Sequence, residues 1–216
     1  MNAGPAGLVR IDRVVTSGTF SLDGQDFEVD NNIWLIGDDT EVVVVDAAHD
    51  ADAILAAVGT RTVVGIVLTH GHNDHIGAVR ELRAATGAPV WLHPGDRMLW
   101  DAVQGDLTPD QELADEAVLS VSGHDLHVLN TPGHSPGSCC LYVPSASTLF
   151  SGDTLFNGGP GATGRSYSDY DTIVASIAGR LLTLPGDTIV RTGHGDITSI
   201  AAEAPSLDEW RSKSTG

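Results

Sequence analysis

Lysine and cysteine are both scarce in this chain. The scarcity of lysine bears on the partners that the protein can bind, and the scarcity of cysteine bears on disulfide formation. Lys213 is the only lysine, and 29 acidic residues against 11 Lys and Arg give a formal net charge of −18. Such an acidic surface repels phosphate backbones, so we expect no nucleic-acid partner. The two cysteines, Cys139 and Cys140, are adjacent, and neighbours in a strand point to opposite faces. We therefore predict buried free thiols rather than a disulfide.

Long apolar runs are also missing. No segment approaches the roughly 18 apolar residues that a membrane span needs. The first residues lack the basic end and apolar stretch of a secretory signal, so we expect a cytoplasmic protein without a membrane partner. A length of 216 residues suits one domain with a sizeable core. We place this domain at residues 1–211 and predict a disordered tail at 212–216, while the oligomeric state stays open.

Strand-like and helix-like runs alternate in both halves of the sequence. Asp50 is placed to cap a helix over 51–58, and further helices are expected after His75 and from Pro94. Apolar residues at helical spacing predict a helix over 171–182. Two β-rich halves with accompanying helices predict an α/β fold of two mixed sheets flanked by helices, a four-layer αββα sandwich. The predicted strands are 32–36, 41–45, 63–68, 90–92, 117–121, 126–129, 138–143, 148–150 and 188–190.

Three of the nine histidines fall within six residues. The segment Thr69-His70-Gly71-His72-Asn73-Asp74-His75 directly follows the apolar strand at 63–68. Imidazole and carboxylate are the ligands that Zn, Fe and Mn prefer. Two histidines at positions i and i+2 of a strand-end loop can hold one ion together. The Asp and His that follow, at the start of a helix, can turn toward a second ion close by.

Three later segments also place a possible metal ligand directly after a strand. His134 follows Pro132-Gly133, Asp153 follows Ser151-Gly152, and His194 lies between two glycines. Each segment alone is weak support, but four strand-end sites of matching type indicate one shared metal centre. Asp153, as a carboxylate, could bridge two cations.

The segment from Thr69 to His75 resembles the THxHxDH signature of the metallo-β-lactamase superfamily. The later Pro-Gly-His, Ser-Gly-Asp and Gly-His elements follow in the order of that family, so the resemblance covers nearly the whole chain. Within the superfamily, the sequence is most similar to the glyoxalase II (hydroxyacylglutathione hydrolase) group. This closer resemblance rests on Gly164-Arg165, 169–176 and 181–188.

The resemblance implies two divalent metal ions, with zinc expected and iron or manganese as alternatives. Asp46, at the end of the Val-rich strand, would orient the ligand loop through hydrogen bonds, as metal sites commonly require. The implied ligands are His70, His72 and His134 for the first ion, Asp74, His75 and His194 for the second, and Asp153 as a bridge together with a water or hydroxide.

The implied activity is hydrolysis of a thioester of a low-molecular-weight thiol by attack of the bridging hydroxide. Two cations lower the pKa of the bridging water, and Asp74 would orient this nucleophile as well as bind metal. The alternatives are a mono-iron persulfide dioxygenase and a metal-binding regulatory module without activity. A β-lactamase is disfavoured because Asp153 stands at the bridging position, and an RNA nuclease is disfavoured by the acidic charge.

A small-molecule thiol conjugate is therefore the expected substrate. The sequence ends soon after His194, so we expect no C-terminal helical domain of the kind that binds glutathione in larger glyoxalase II enzymes. The thiol need not be glutathione, and the Ala- and Gly-rich, Lys-poor composition makes mycothiol a candidate. Arg165, in the glycine-rich loop, and Arg97, after Pro94-Gly95, are the candidate substrate contacts. The pattern gives no role to His49 or His93.

Overall fold

The computed structural model describes residues 9–213, and its first sheet contains six strands in the order of the chain. The first three strands pair antiparallel, and the third to the sixth pair parallel. Helices fill the connections between the parallel strands, since such strands need a long crossover. The elements are β1 (Arg10–Leu22), β2 (Gln25–Gly37), β3 (Glu41–Val45), α1 (Ala51–Val58), β4 (Thr62–Val67), α2 (Asn73–Ile76), α3 (Val79–Thr86), β5 (Val90–Leu92), α4 (Arg97–Gln104) and β6 (Gln111–Glu112).

The second sheet also has six strands. Its strands are β7 (Val118–Val121), β8 (His124–Asn130), β9 (Cys139–Val143), β10 (Thr148–Gly152), β13 (Ile189–Thr192) and β14 (Thr198–Ser199). The helices of this half are α5 (Tyr170–Ser176), α6 (Ile200–Glu203) and α7 (Leu207–Lys213). The spatial order is β14-β13-β10-β9-β8-β7, and only the β10–β13 pair is parallel. The short hairpin of β11 (Leu155–Phe156) and β12 (Gly159–Pro160) stands apart from both sheets. A π-helical turn, Ile177–Leu181, prolongs α5.

Buried apolar residues form three layers. The first lies between α1, α3 and the outer face of the first sheet and includes Ile54 and Leu82. The second lies between the two sheets and contains Trp34 and Phe150. The third lies between the second sheet and its helices and includes Trp210. These layers and the two sheets confirm the predicted four-layer αββα sandwich.

The structure confirms the predicted helix cap and free cysteines but not the start of the predicted disordered tail. Asp50 caps α1 as expected, because its side chain accepts a hydrogen bond of 3.0 Å from the Ala53 amide. Both cysteines are buried free thiols, as predicted. The tail predicted from 212 is wrong at its start, since α7 extends to Lys213, and residues 214–216 lie outside the described part. Among the described residues, no helix is long and apolar enough to cross a membrane.

The strands predicted from the sequence do not include β1 or the first half of β2. These two strands pair along their whole length, from Arg10 opposite Gly37 to Leu22 opposite Gln25. The turn at Asp23-Gly24 has positive φ at both residues, 54° and 71°, which is the conformation that tight hairpins require. Beyond the reach of β3, both strands are largely polar and carry little of the apolar alternation that marks a half-buried strand.

The core between the sheets yields the first prediction. Phe150 is fully buried there, with its ring centroid 6.1 Å from that of Trp34. The substitution Phe150→Ala should lower the free energy of unfolding by about 3–5 kcal/mol, because it removes a large buried ring and leaves a cavity. Urea denaturation of the metal-loaded protein measures the change. Val118→Ala is the control, since Val118 is 49% exposed, and an equal loss in both variants would contradict the assignment.

Candidate metal centre

Strands from both sheets end at one edge of the sandwich, and the predicted ligands follow these ends. Two backbone hydrogen bonds join the sheets there: the Cys139 amide donates to the Thr69 carbonyl at 2.8 Å, and the Asn32 amide donates to the Gly193 carbonyl at 2.7 Å. The ligand loops are thereby fixed relative to one another. β4 leads into His70, β8 leads into His134, β10 leads into Asp153, and β13 leads into His194.

His70, His72 and His134 form one buried cluster whose candidate ligand atoms all lie within 4.8 Å of one another. His72 Nδ1 is 3.0 Å from His134 Nε2. His134 Nδ1 lies 2.8 Å from the Ala162 carbonyl oxygen, which can only accept a hydrogen bond. The proton of the neutral ring is therefore on Nδ1, and the lone pair of Nε2 faces the cluster.

Asp74, His75 and His194 form a second cluster of the same compactness. The Nε2 atoms of His75 and His194 are 3.2 Å apart, and His194 Nε2 is 3.3 Å from Asp74 Oδ2. Each ring is held from behind: His194 Nδ1 donates to the Asp30 carbonyl at 2.8 Å, and His75 Nδ1 donates to Asp46 Oδ2 at 2.9 Å. Both rings therefore direct Nε2 inward.

Asp153 lies between the two clusters. Its Oδ1 is 3.4 Å from His75 Nε2, and its Oδ2 is 3.3 Å from His194 Nε2 and 3.6 Å from His134 Nε2. One carboxylate thus reaches histidines of both sets, which is the geometry expected of a bridge. Gly193 leaves room for it, because a Cβ at that position would collide with Asp153 and the ring of His75.

The clusters fit divalent cations on two observations. Two ligand nitrogens on a tetrahedral zinc ion, at Zn–N of about 2.0–2.1 Å, lie about 3.3 Å apart. The paired nitrogens here are separated by 3.0 and 3.2 Å. In addition, His70 Nε2, Asp74 Oδ1 and Asp153 Oδ1 are buried and have no hydrogen-bond partner in the described part of the chain. Buried acceptors of this kind are costly unless a cation or donor satisfies them.

Protons are distributed unevenly over the imidazoles. Burial lowers the pKa of His70 well below its ordinary value and that of His72 to about 3. Burial also disfavours charge on His75 and His194, but the neighbouring carboxylates of Asp153 and Asp74 together outweigh it. The pKa of His75 is raised well above its ordinary value and that of His194 to about 10. At neutral pH the second cluster therefore holds protons that a metal ion must displace.

Asp46 supports the THxHxDH segment at two residues, Thr69 and His75. It is 2% exposed, and it accepts hydrogen bonds from the Thr69 amide at 2.8 Å, from Thr69 Oγ1 at 2.9 Å and from His75 Nδ1 at 2.9 Å. Its φ of 65° places it in the left-handed region, which is uncommon for residues other than glycine. This backbone conformation at the end of β3 turns the carboxylate toward the ligand loop.

The cleft in front of the ligands has a volume of about 120 Å³. Phe20 and Val29, from the β1–β2 hairpin, line it together with Ala162. A smaller cavity beside it is lined by Arg165, whose guanidinium lies 4.5 Å from the ring centroid of Phe27. The structure thus places Arg165 near the cleft, and its contact with substrate stays a prediction.

Comparisons with known proteins agree with this geometry. The family model of the metallo-beta-lactamase superfamily matches residues 27–194. The chain belongs to the metallo-β-lactamase superfamily. This superfamily member is 31% identical over 199 residues to the hydroxyacylglutathione hydrolase GloC of Haemophilus influenzae, a match that covers 85% of this chain and 94% of GloC.

Two solved structures also resemble this metallo-β-lactamase superfamily protein. The BLEG-1 B3 metallo-beta-lactamase has a TM-score of 0.76 and 33% identity, over 88% of this chain and 97% of that one. TTHA1623 in a di-iron-bound form has a TM-score of 0.70 and 34% identity, over 82% and 93% of the two chains. The predicted family and fold are thus confirmed.

Asp96 is a buried residue of this superfamily member that was not among the predicted site residues. Its Oδ2 accepts from the Gly71 amide at 2.8 Å and from Ser135 Oγ at 2.6 Å, and its Oδ1 accepts from the Gly137 amide at 2.6 Å. It therefore ties the loop of His70 and His72 to the turn of His134. No local pattern marks such a residue, because its partners come from two distant segments.

The two histidines left without a role lie outside the cleft. His93 Nδ1 accepts a hydrogen bond of 3.1 Å from the Gly95 amide and lines an open groove with Leu92 and Arg97. His49 contacts Asn31 with an Nε2–Oδ1 distance of 2.8 Å. Neither histidine is among the residues that line the metal cleft.

Metal loading of this superfamily protein should release protons. His75 and His194 have raised pKa values in the metal-free state, so up to two protons should leave per chain at pH 7, and the apparent affinity should rise with pH. Calorimetric zinc titrations in buffers of different ionisation enthalpy measure this number. His194→Ala should release fewer protons than the wild type, and proton-independent binding in both proteins would contradict the charge assignment.

The role of Asp46 is tested by its isosteric amide. Asp46→Asn removes the charged acceptor behind His75 and should lower metal affinity by about 10- to 100-fold, measured by competition with a chromophoric chelator. Asp50→Asn is the matched control, because asparagine also caps helices and Asp50 has no contact with a ligand side chain. Equal affinities of the two variants would show that Asp46 does not support the site.

Proposed function

We propose that this protein hydrolyses a thioester of a low-molecular-weight thiol with two divalent metal ions. Zinc is the expected metal, and the same residues can also bind iron or manganese. The observation that carries the proposal is the position of Asp153, within 3.3–3.6 Å of histidines from both clusters. A bridging carboxylate between two complete ligand sets is suited to a pair of ions. Bound as such a pair, the ions would supply hydroxide at neutral pH and polarise a carbonyl.

The protein's own residues would position the reactants. Asp74 uses Oδ2 toward His194, at 3.3 Å, whereas its buried Oδ1 has no hydrogen-bond partner in the described residues. This free oxygen is available to orient an attacking water. Phe20, Val29 and Ala162 give the cleft an apolar lining, which suits a small acyl group and limits access of bulk water.

The thiol part of the substrate would lie toward the outer cavity. Within residues 9–213, Arg165 is the one arginine or lysine that lines either cavity, and Ser166 and Ser168 lie beside it. A single cation with hydroxyl groups favours a polar thiol with few negative charges. Glutathione and mycothiol are both candidates. The named activity of GloC supports the thioester class, although the identity of 31% leaves the thiol open.

The alternative activities make different demands on the site. A mono-iron persulfide dioxygenase needs one ligand set, whereas the second set of Asp74, His75 and His194 is also complete here. The likeness to BLEG-1, a B3 metallo-beta-lactamase, makes β-lactam hydrolysis a second activity to test. A regulatory module without activity does not need a cleft beside the candidate ligands, whereas an enzyme needs one to admit its substrate.

Kinetics decide between these activities. Protein purified without chelator should contain two metal ions and cleave acyl thioesters of glutathione or mycothiol with a higher kcat/KM than a penicillin or a cephalosporin. Asp153→Asn should reduce kcat/KM by about 100-fold or more, since loss of a ligand should exceed the 10- to 100-fold cost of losing a ligand's hydrogen-bond partner. Asp50→Asn serves as the control with unchanged activity.

The opposite results would be equally clear. One iron per chain with oxygen uptake on a glutathione persulfide would establish the dioxygenase. Faster turnover of the β-lactams would establish a lactamase. No turnover of any thioester by fully loaded protein would end the proposal.

A further inference from the structure

Asn31 is a buried residue that contacts the second ligand cluster without belonging to it. Its side chain is inaccessible to solvent. Its Nδ2 donates a hydrogen bond of 3.0 Å to Asp74 Oδ2 and lies 3.4 Å from His194 Nε2. Asp74 Oδ2 is also the oxygen that faces His75 and His194, at 3.5 and 3.3 Å. Asn31 therefore acts on the ligand atom itself.

The amide of Asn31 could face Asp74 with either its nitrogen or its oxygen, and the carboxylate of Asp74, which can only accept a hydrogen bond, selects the nitrogen. His49 Nε2 lies 2.8 Å from Asn31 Oδ1. Because Oδ1 can only accept, His49 Nε2 carries the ring proton and donates to this oxygen, which supports the orientation with the NH₂ group toward Asp74. A flipped amide would place two oxygens 3.0 Å apart and two donors against each other. The pair thus has one favourable orientation.

The backbone around His49 holds its ring in place at some conformational cost. His49 has a φ of 55°, in the left-handed region. Gly18 lies against the ring, and a Cβ at that position would collide with it. The adjoining segment is tied down on both sides, because the Ala47 amide donates to the His75 carbonyl at 2.8 Å and Thr16 Oγ1 donates to the Ala48 carbonyl at 2.9 Å.

We propose that Asn31 and His49 form a positioning pair that orients Asp74 and thereby sets the affinity for the second metal ion. Neither residue of the pair is among the residues that line the substrate cleft. His49 instead borders a separate open cleft with Ser17 and Glu81. The inference rests on the two-metal centre of the proposed function but not on its substrate.

Two substitutions at position 49 separate positioning from folding. His49→Leu removes the donor, whereas His49→Gln keeps an NH group that can reach Asn31 Oδ1. Both residues place an ordinary side chain at the same positive φ, so backbone strain is matched. Asn31→Leu removes the donor to Asp74 directly. Thermal unfolding of the metal-free variants shows that each is folded before metal is added.

The measurement is stepwise metal binding. Metal-free proteins are titrated with Zn²⁺ against a chromophoric chelator and with Co²⁺, whose visible absorption reports the coordination of each ion. His49→Leu and Asn31→Leu should weaken the second binding step by about 10- to 100-fold and alter the absorption of the second Co²⁺. The first step, at His70, His72 and His134, should stay unchanged, and His49→Gln should restore the second step.

The outcomes are distinguishable. If the wild type binds two ions and both leucine variants bind them with wild-type affinities, the positioning pair is refuted while the proposed function stands. If His49→Gln is as impaired as His49→Leu, hydrogen bonding by His49 is refuted. A wild type that binds only one ion refutes the two-metal centre and the pair with it.

Discussion

Imidazole nitrogens that face one another in a buried space are the constraint on which the rest of this structure depends. His72 and His134 approach to 3.0 Å, and His75 and His194 approach to 3.2 Å. Two lone pairs at such distances repel unless a proton or a cation lies between them. Each ring that has a carbonyl or carboxylate behind it is prevented from turning away. The fold therefore fixes the arrangement of these imidazole rings, and a proton or a cation between the facing nitrogens relieves their repulsion.

This constraint links metal binding to the stability of the sandwich. The candidate ligands come from both sheets, so a bound ion would crosslink the same two layers that Trp34 and Phe150 hold together. A ligand that binds only the folded state stabilises it in proportion to the logarithm of its concentration. The apolar core between the sheets and metal ions bound at their edge would thus both stabilise the folded state against the same unfolding transition. We expect the free energy of unfolding to depend on metal binding at the edge that carries the candidate ligands and on apolar packing in the rest of the sandwich.

The parts of this protein that the sequence predicts well are those with a local signal. The strands around the ligands carry apolar runs, and the density of histidines in Thr69–His75 is visible without any structure. The αββα layers follow from the alternation of these runs. Asp96, Asn31 and His49 could not be predicted, because their partners lie in distant segments and their residue types are common in loops. The polar half of the β1–β2 hairpin was missed because pairing with its neighbour, rather than burial, defines it.

Chemistry and recognition are carried by different segments of the chain. The candidate metal ligands follow strand ends inside the sandwich, whereas Phe20, Val29 and Ala162 belong to the hairpin and to the loop in front of α5. Asp23 at the tip of the hairpin joins these two segments, since it accepts hydrogen bonds from Ser166 Oγ at 2.6 Å and from the Ser166 amide at 3.0 Å. Changes in the hairpin or the loop can therefore reshape the cleft without moving a ligand. Proteins that share all seven candidate ligand residues can for this reason differ in the molecules that fit the cleft.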